Sequence, residues 1–509
     1  MDQFIKYAPI SSVSLSVSIL RILSCVLWVT FASCTPATQP APIVQAQTSH
    51  PDEGAISANP TPLPTRPIYS PGELVAYEAQ TGDTIPALAA HFNTTEKEIF
   101  EANPTIPLDV TTLPPGFPMQ IPIYYQALWG SPYQIIPDSL YVNGPLQSDF
   151  NTIEFVKKSP GWFKNYEFFT SAGTLKGGEL INHVAGNFSI SPRLLLALVE
   201  YQTGALNSLD PSKAEEDYPF GFQHYAHKGL YRQLTWAANI LNNGYYGWRT
   251  GKLTAFELAD GSLERPDPWQ NAATVALHYY FAQTMSGEEY NQAVHSQGFE
   301  AVYESLFGNI PEDAPSHIPG NLKQPAMNFP FEWGKSWSFT GGPHTGWGDG
   351  EPFAAIDFAP PAVVGGCAGT EEWATAVADG IIARKSTATA ELDLDGDGDE
   401  RTGWVVFYLH LSTASIPPAG TQLKTGDPIG HPSCEGGVST GTHVHIARKY
   451  NGEWILAGGP LAFNLEGWIA ANGSGPYQGT MSRFSHSIRA CVCSDQASQI
   501  QSGSLKTPQ

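Results

Sequence analysis

The chain has 509 residues, too many for a single hydrophobic core, so several domains are expected. Lys and Arg total 26 against 48 Asp and Glu, a formal charge of −22, and such a surface repels nucleic acid and anionic membranes, which argues against both as ligands. Charged residues reach only 15% while aromatic residues make up 12%, a composition that suits an exported protein facing sugars.

Basic Lys6 and Arg21 precede an apolar run, Ile22 to Ala32, that is too short to span a bilayer comfortably. The run ends Thr-Phe-Ala-Ser-Cys34, which resembles a bacterial lipoprotein signal. The resemblance implies a signal peptide over residues 1–33, lipid on Cys34 and membrane contact through that anchor alone. An ordinary secretory signal or an uncleaved anchor would export the chain equally well. Residues 34–71 are rich in Pro, Thr, Ala and Gln and lack apolar periodicity, so they read as an extended tether. Of six cysteines, Cys25 would leave with the signal and Cys34 would carry lipid. Cys367, Cys434, Cys491 and Cys493 remain, and disulfides are expected among them in an oxidising compartment. Four cysteines allow about three pairings. Cys367 with Cys434 is favoured because both fall in one expected domain.

Residues 72–125 read as strand, helix, helix, strand. Gly82-Asp83-Thr84 follows a short strand, and Asp83 is placed to cap the helix carrying Ile85, Leu88, Ala89 and Phe92. Thr94 opens a second helix, and a strand returns after Pro114-Pro115-Gly116. These elements resemble a LysM domain, a βααβ module, which implies binding to N-acetylglucosamine-containing glycans such as peptidoglycan.

Residues 145–310 are helical in pattern. Ser191-Pro192 is a helix start, with proline at the first helical position. The following Leu-Ala-Leu-Val-Glu-Tyr-Gln-Thr resembles the helix of lysozyme-like lytic transglycosylases that carries the catalytic acid. Gln202 falls where that acid belongs, and an amide has no proton to give to a leaving group. Glu200 sits about 200° round the helix from it, so either the domain holds glycan without glycosidic chemistry, the favoured expectation, or the alignment is shifted and Glu200 is the acid. Tyr245, Tyr246 and Trp248 could stack on sugars, though core packing explains them better.

From residue 325 to 475 short β runs alternate with Gly and Pro, and residues 476–509 are expected as a tail. The fold class is thus multidomain α+β, with an antiparallel β-rich C-terminal domain. His443 and His445 alternate on one strand and face the same way. Two neutral imidazoles and a carboxylate suit zinc, with a fourth position open for catalysis. By the same alternation His410 shares a face with Trp404, Val406 and Tyr408, where it could meet His443 and His445.

The pieces Gly342-Pro-His344, Ala355-Ile-Asp357, Ala378-Asp-Gly380, Tyr408-Leu-His410 and Gly441-Thr-His443-Val-His445 stand in the order found in lysostaphin-type (LytM-type) zinc metallopeptidases, and the region resembles them. The resemblance implies a zinc endopeptidase acting on peptidoglycan peptides. In it His344, Asp357 and His445 hold the metal, while His410 and His443 flank the attacking water and the developing oxyanion. His344 and Asp357 stand thirteen positions apart rather than the usual four, so the Gly-rich stretch Thr345 to Phe353 must loop out. The sequence holds no His-Glu-x-x-His, so no glutamate base is available and proton transfer falls to imidazoles. A degenerate relative that only binds peptidoglycan, or activates other wall hydrolases, is the alternative. Asp393, Asp395, Asp397 and Asp399 invite calcium, but Trp404 stands where an EF-hand has its glutamate, so a calcium-holding hairpin loop and a plain solvated acidic turn are both expected readings.

Overall fold

The computed structural model describes Leu63 and residues 65–503 apart from 312, 363 and 494. The signal expected over 1–33 and Cys34 lie outside the described residues, as does most of the Pro-rich stretch. Among the described residues no helix is long and apolar enough to cross a membrane.

Strand β1 (Glu73–Glu78) pairs antiparallel with β2 (Pro118–Ile123), and helices α1 (Ile85–His91) and α2 (Glu96–Ala102) come between them. The βααβ order is as the sequence predicts, but the caps differ. Thr84 caps α1 by accepting the Ala87 N–H, and Thr95, not Thr94, starts α2 through a capping box with Glu98. Asp83 instead accepts Tyr77 Oη–H and the Gln80 N–H, both at 2.7 Å, and so pins the turn before α1. Val75, Tyr77, Leu88, Phe92, Ile99 and Ile121 close a small core. At the end of α1, His91 is buried with its ring stacked 3.5 Å from Trp248. Its Nε2 lies 2.9 Å from the Trp248 carbonyl, and burial pushes its pKa down to about 3.

The helical region is organised by α3 (Gly177–Phe188), α4 (Pro192–Thr203), α5 (Leu230–Arg249) and α6 (Ala272–Ala282). Ser191 caps α4 and Gly204, at φ 62°, ends it in the left-handed conformation glycine tolerates best. Leu194 to Val199 are buried, as are Tyr245, Tyr246 and Trp248 on α5. Those aromatic rings therefore belong to the core and form no sugar platform. Gln202 donates to Tyr280 Oη at 3.1 Å. Glu200 accepts the Leu206 N–H at 2.7 Å and Asn207 Nδ2 at 2.9 Å, closing the turn beyond α4. Both side chains have structural work, and the lysozyme-like reading of this region gains nothing from either.

The C-terminal sheet contains β3 (Ser336–His344), β4 (Ala355–Ala359), β5 (Gly380–Ser386), β6 (Thr389–Asp393), β7 (Trp404–Leu409), β8 (Gln422–Leu423), β9 (Val444–Tyr450), β10 (Glu453–Ile455) and β11 (Gln499–Gln501). Its order is β8-β5-β6-β7-β9-β4-β3-β11, antiparallel throughout, with β10 also on β9. Ile356, Phe358, Val406, Tyr408, Val444 and Ile446 fill one core. Ala355, Phe407, Leu409 and Ala447, which alternate with them, face the helices. Residues 476–509, expected as a tail, instead supply strands at Gly479–Arg483, His486–Arg489 and β11. Met481 and Ile500, buried in the sheet core, hold them there.

The helices and the sheet are joined by a buried polar knot. Glu453 on β10 takes Arg249 Nε at 3.1 Å, Tyr245 Oη–H at 2.8 Å and His317 Nε2 at 2.6 Å. Arg249 also pairs with Asp138 at 3.0 Å. Each buried charge thus meets an opposite one, which makes the burial tolerable.

Candidate metal centre

Asp357 and His445 are direct partners on β4 and β9, which places both on the face toward the helices. His344 ends β3, where the register with β4 slips between Phe339 and Gly341 and again between Gly341 and His344. A Cβ at Gly341 would lie 2.3 Å from Asp357 Oδ2, so only glycine leaves that carboxylate its room. His344 Nε2 is 3.3 Å from Asp357 Oδ1 and 3.1 Å from His445 Nδ1, and His445 Nδ1 is 3.2 Å from the same oxygen. All three residues are buried. A tetrahedral ion with bonds of about 2.0–2.2 Å would space its ligands by about 3.3 Å.

The outer hydrogen bonds decide which atoms carry lone pairs. His344 Nδ1 lies 2.8 Å from the Gly342 carbonyl, and His445 Nε2 lies 3.1 Å from that of Gly346. Each ring therefore holds its proton outward and turns a bare nitrogen inward. Asp357 Oδ1, buried between them, has no donor. Three lone-pair atoms this close repel unless a cation lies among them, so the donor set fits a metal such as zinc. With protons alone to serve, burial works to lower the His344 pKa, but the Asp357 carboxylate outweighs it and holds the ring above its ordinary range. Asp357 is itself held well below the usual carboxylate range; burial works to raise it, and His344 and His443 outweigh burial.

His410 reaches this group by a route that strand alternation does not give. Continued alternation would put it with Val406 and Tyr408, in the core on the far face. Instead β7 stops at Leu409 and His410 adopts φ 63°, a left-handed conformation uncommon for a side chain of this size. The ring is thereby set 4.5 Å from that of His443 and 6.2 Å from that of His445. Its Nδ1 lies 2.8 Å from the Glu435 carbonyl, and burial, with His443 and His445 nearby, pushes its pKa down to about 3. His443 is half-buried; its Nδ1 lies 2.8 Å from the Gly441 carbonyl and its Nε2 3.9 Å from Asp357 Oδ2. The five residues singled out in the sequence are thus brought together.

Around them, the insert between His344 and Asp357 docks on α5: Asn239 Oδ1 accepts the Asp349 N–H and Asn243 Oδ1 the Glu351 N–H, each at 2.7 Å. No local sequence signal marks Tyr477, which falls in the expected tail. Its ring stacks on His344 at 4.1 Å, and the Gly342 N–H donates to its carbonyl at 2.9 Å. Cys367 is bonded to Cys434 as expected, and Cys491 to Cys493. The first bridge anchors the loop whose Glu435 carbonyl orients His410.

The acidic loop is a different case. Asp393, Asp395 and Asp397 offer oxygens within 4.8 Å of one another. Asp393, however, already accepts the N–H groups of Asp395, Gly396 and Gly398, and Asp399 is paired with Arg401 at 2.6 Å. These bonds account for the carboxylates as turn formers, and the calcium expectation has no support beyond their proximity.

Residues 77–122 match the LysM domain model, and residues 134–320 match the model described as LasA, N-terminal domain. The helical region is therefore similar to the LasA N-terminal domain, and the lysozyme-like assignment is not confirmed. Protease LasA of Pseudomonas aeruginosa is 24% identical over 315 residues, covering 56% of this chain and 70% of its own length. The beta-lytic metalloendopeptidase of Lysobacter enzymogenes is 32% identical over 168 residues, 31% of this chain and 86% of its own. The chain belongs to the beta-lytic metalloendopeptidase family. The metalloendopeptidase of that name from Achromobacter lyticus is 34% identical over 176 residues, 31% of this chain and 41% of its own. Family membership makes the chain a metalloendopeptidase joined to a LysM module and a LasA-type helical region.

Proposed function

We propose that this chain is an exported zinc endopeptidase that hydrolyses peptide bonds of bacterial peptidoglycan, with the LysM module holding the glycan. One observation carries the reading. Three inward lone-pair atoms, on His344, Asp357 and His445, converge beside two further imidazoles.

In this reading His344, Asp357 and His445 hold zinc. When bound, the ion supplies Lewis-acid polarisation of the scissile carbonyl and lowers the pKa of a coordinated water toward about 7. The protein's own groups do the rest. His410 and His443 each commit Nδ1 to a backbone carbonyl, Glu435 and Gly441 respectively, which leaves Nε2 to face the substrate. Bare as those bonds leave them, the two nitrogens can take the proton of the attacking water and, once protonated, donate to the oxygen on which charge develops and pass the proton to the departing amine. Gly341 keeps the Asp357 carboxylate seated, and the insert on α5 forms one wall beside the site. Two disulfides suit an oxidising, extracytoplasmic setting. Anchoring through Cys34 belongs to the same proposal and is tested by incorporation of labelled fatty acid in wild type and Cys34→Ala.

The test is digestion of purified sacculi by the zinc-loaded full chain, read by mass spectrometry of soluble fragments. New peptide termini with intact glycosidic linkages are expected, and none from His445→Ala. Glycan-cleaved products, or undiminished digestion by that variant, would reject the assignment. Binding to sacculi without any cleavage would favour the scaffold alternative.

A further inference from the structure

The segment Ile318 to Leu322, which links the helical region to the sheet, is laid across the LysM module. It runs between the turn after β1 and the loop before β2. Its backbone is held there almost entirely by threonine hydroxyls. Thr81 Oγ1 accepts the Ile318 N–H at 3.0 Å and donates back to the Ile318 carbonyl at 3.3 Å. Thr112 Oγ1 donates to the Pro319 carbonyl at 2.8 Å and accepts the Leu322 N–H at 3.0 Å. Thr111 Oγ1 donates to the Leu322 carbonyl at 2.6 Å, and the Thr112 carbonyl accepts the Asn321 N–H at 2.7 Å. The side chains of Ile318 and Leu322 turn the other way, onto Ile455, Trp404 and Tyr450 of the sheet domain. Gly320 passes so near Pro114 that a Cβ on it would fall 2.6 Å from the proline Cα.

What the two loops grip is therefore the polar edge of the amide group, the N–H of Ile318, Asn321 and Leu322 and the C=O of Ile318, Pro319 and Leu322, met by hydroxyls and one carbonyl. An N-acetyl sugar offers the same group in its acetamido arm, together with ring hydroxyls that threonine can meet. We propose that residues 318–322 are an internal strap occupying the amide-reading groove of the LysM module. N-acetylglucosamine oligomers must displace this strap in order to bind. The inference rests on the glycan-holding reading of the module given above and adds its regulation. A ligand that meets a site open only part of the time binds with an affinity reduced by the open fraction. The strap thus sets how tightly the full chain holds glycan, and its release also withdraws two apolar anchors from the sheet domain.

The test uses the full-length chain and a soluble β-linked N-acetylglucosamine oligomer, with affinity measured by calorimetry for wild type and Gly320→Leu. The leucine cannot fit against Pro114, so the strap should lift and the affinity rise by about tenfold or more. Equal affinities would overturn the strap and leave the glycan reading standing, while no binding by either protein would overturn both. Amide hydrogen exchange on the wild type gives a second readout that needs no variant. Saturating oligomer should speed exchange at Ile318, Asn321 and Leu322, and unchanged or slower exchange there would contradict displacement.

Discussion

The left-handed backbone at His410 makes a prediction that separates strain from chemistry. His410→Ala and His410→Gly remove the same ring and the same Nδ1 bond to Glu435, so the packing lost is common to both. They differ at φ 63°, where a Cβ costs about 1–2 kcal/mol and glycine costs nothing. Glycine loses about 0.5–1 kcal/mol to the greater freedom of its unfolded chain. The glycine variant should therefore be the more stable by about 0.5–1 kcal/mol. Both should lose about 10²- to 10⁴-fold in turnover, the usual worth of a positioned acid or base. Urea unfolding of the two variants, with rates on a peptidoglycan peptide, provides the comparison. An alanine variant more stable than the glycine one by about 0.5–1 kcal/mol would show that the conformation costs nothing. Turnover within tenfold of wild type would remove His410 from the chemistry.

Other outcomes follow from buried charge. Lys449, on β9, is 2.9 Å from Glu391 and 3.7 Å from Glu400, and both Lys449 and Glu391 are buried. Lys449→Met should cost about 3 kcal/mol, the low end for a broken buried pair, because Arg384 stays 2.9 Å from Glu391 and 2.7 Å from Glu400 while the two carboxylates then share one cation, and Glu391→Leu added to it should recover much of the loss; a single variant within 1 kcal/mol of wild type in denaturant unfolding would refute this. His91 has a folded-state pKa of about 3, below the unfolded value near 6.5, so the folded state disfavours the proton. Its contribution is complete above about pH 6.5 and is lost toward pH 3, by up to about 1.4 kcal/mol for each pH unit. His91→Phe should flatten that part of the stability profile, and an unchanged slope between pH 6 and pH 4 would contradict the assignment.

The LysM module and the metal-binding strand were legible because their signals are local. Turn residues beside apolar periodicity mark the first, and period two carries His443 and His445 to one face. His410 was placed among the right residues for an incomplete reason, since nothing in Tyr-Leu-His-Leu announces a left-handed residue that breaks the alternation. Asp83 and Thr84 are both good caps, and the choice between them was made by a tertiary bond from Tyr77. Tyr477 and β11 escaped notice because long-range pairing, not their own sequence, orders them. The helical region resembled a transglycosylase over one helix start, a signal too short to specify a fold.

The central claim is that His344, Asp357 and His445 together hold one zinc ion. Metal analysis of the full chain, dialysed against zinc and then against metal-free buffer, tests it most directly. One zinc per chain is the predicted result, with none retained after Asp357→Asn or His445→Ala while both variants keep the wild-type far-ultraviolet circular dichroism. A folded wild type without stoichiometric zinc, or variants that hold zinc as well as wild type does, would contradict the account.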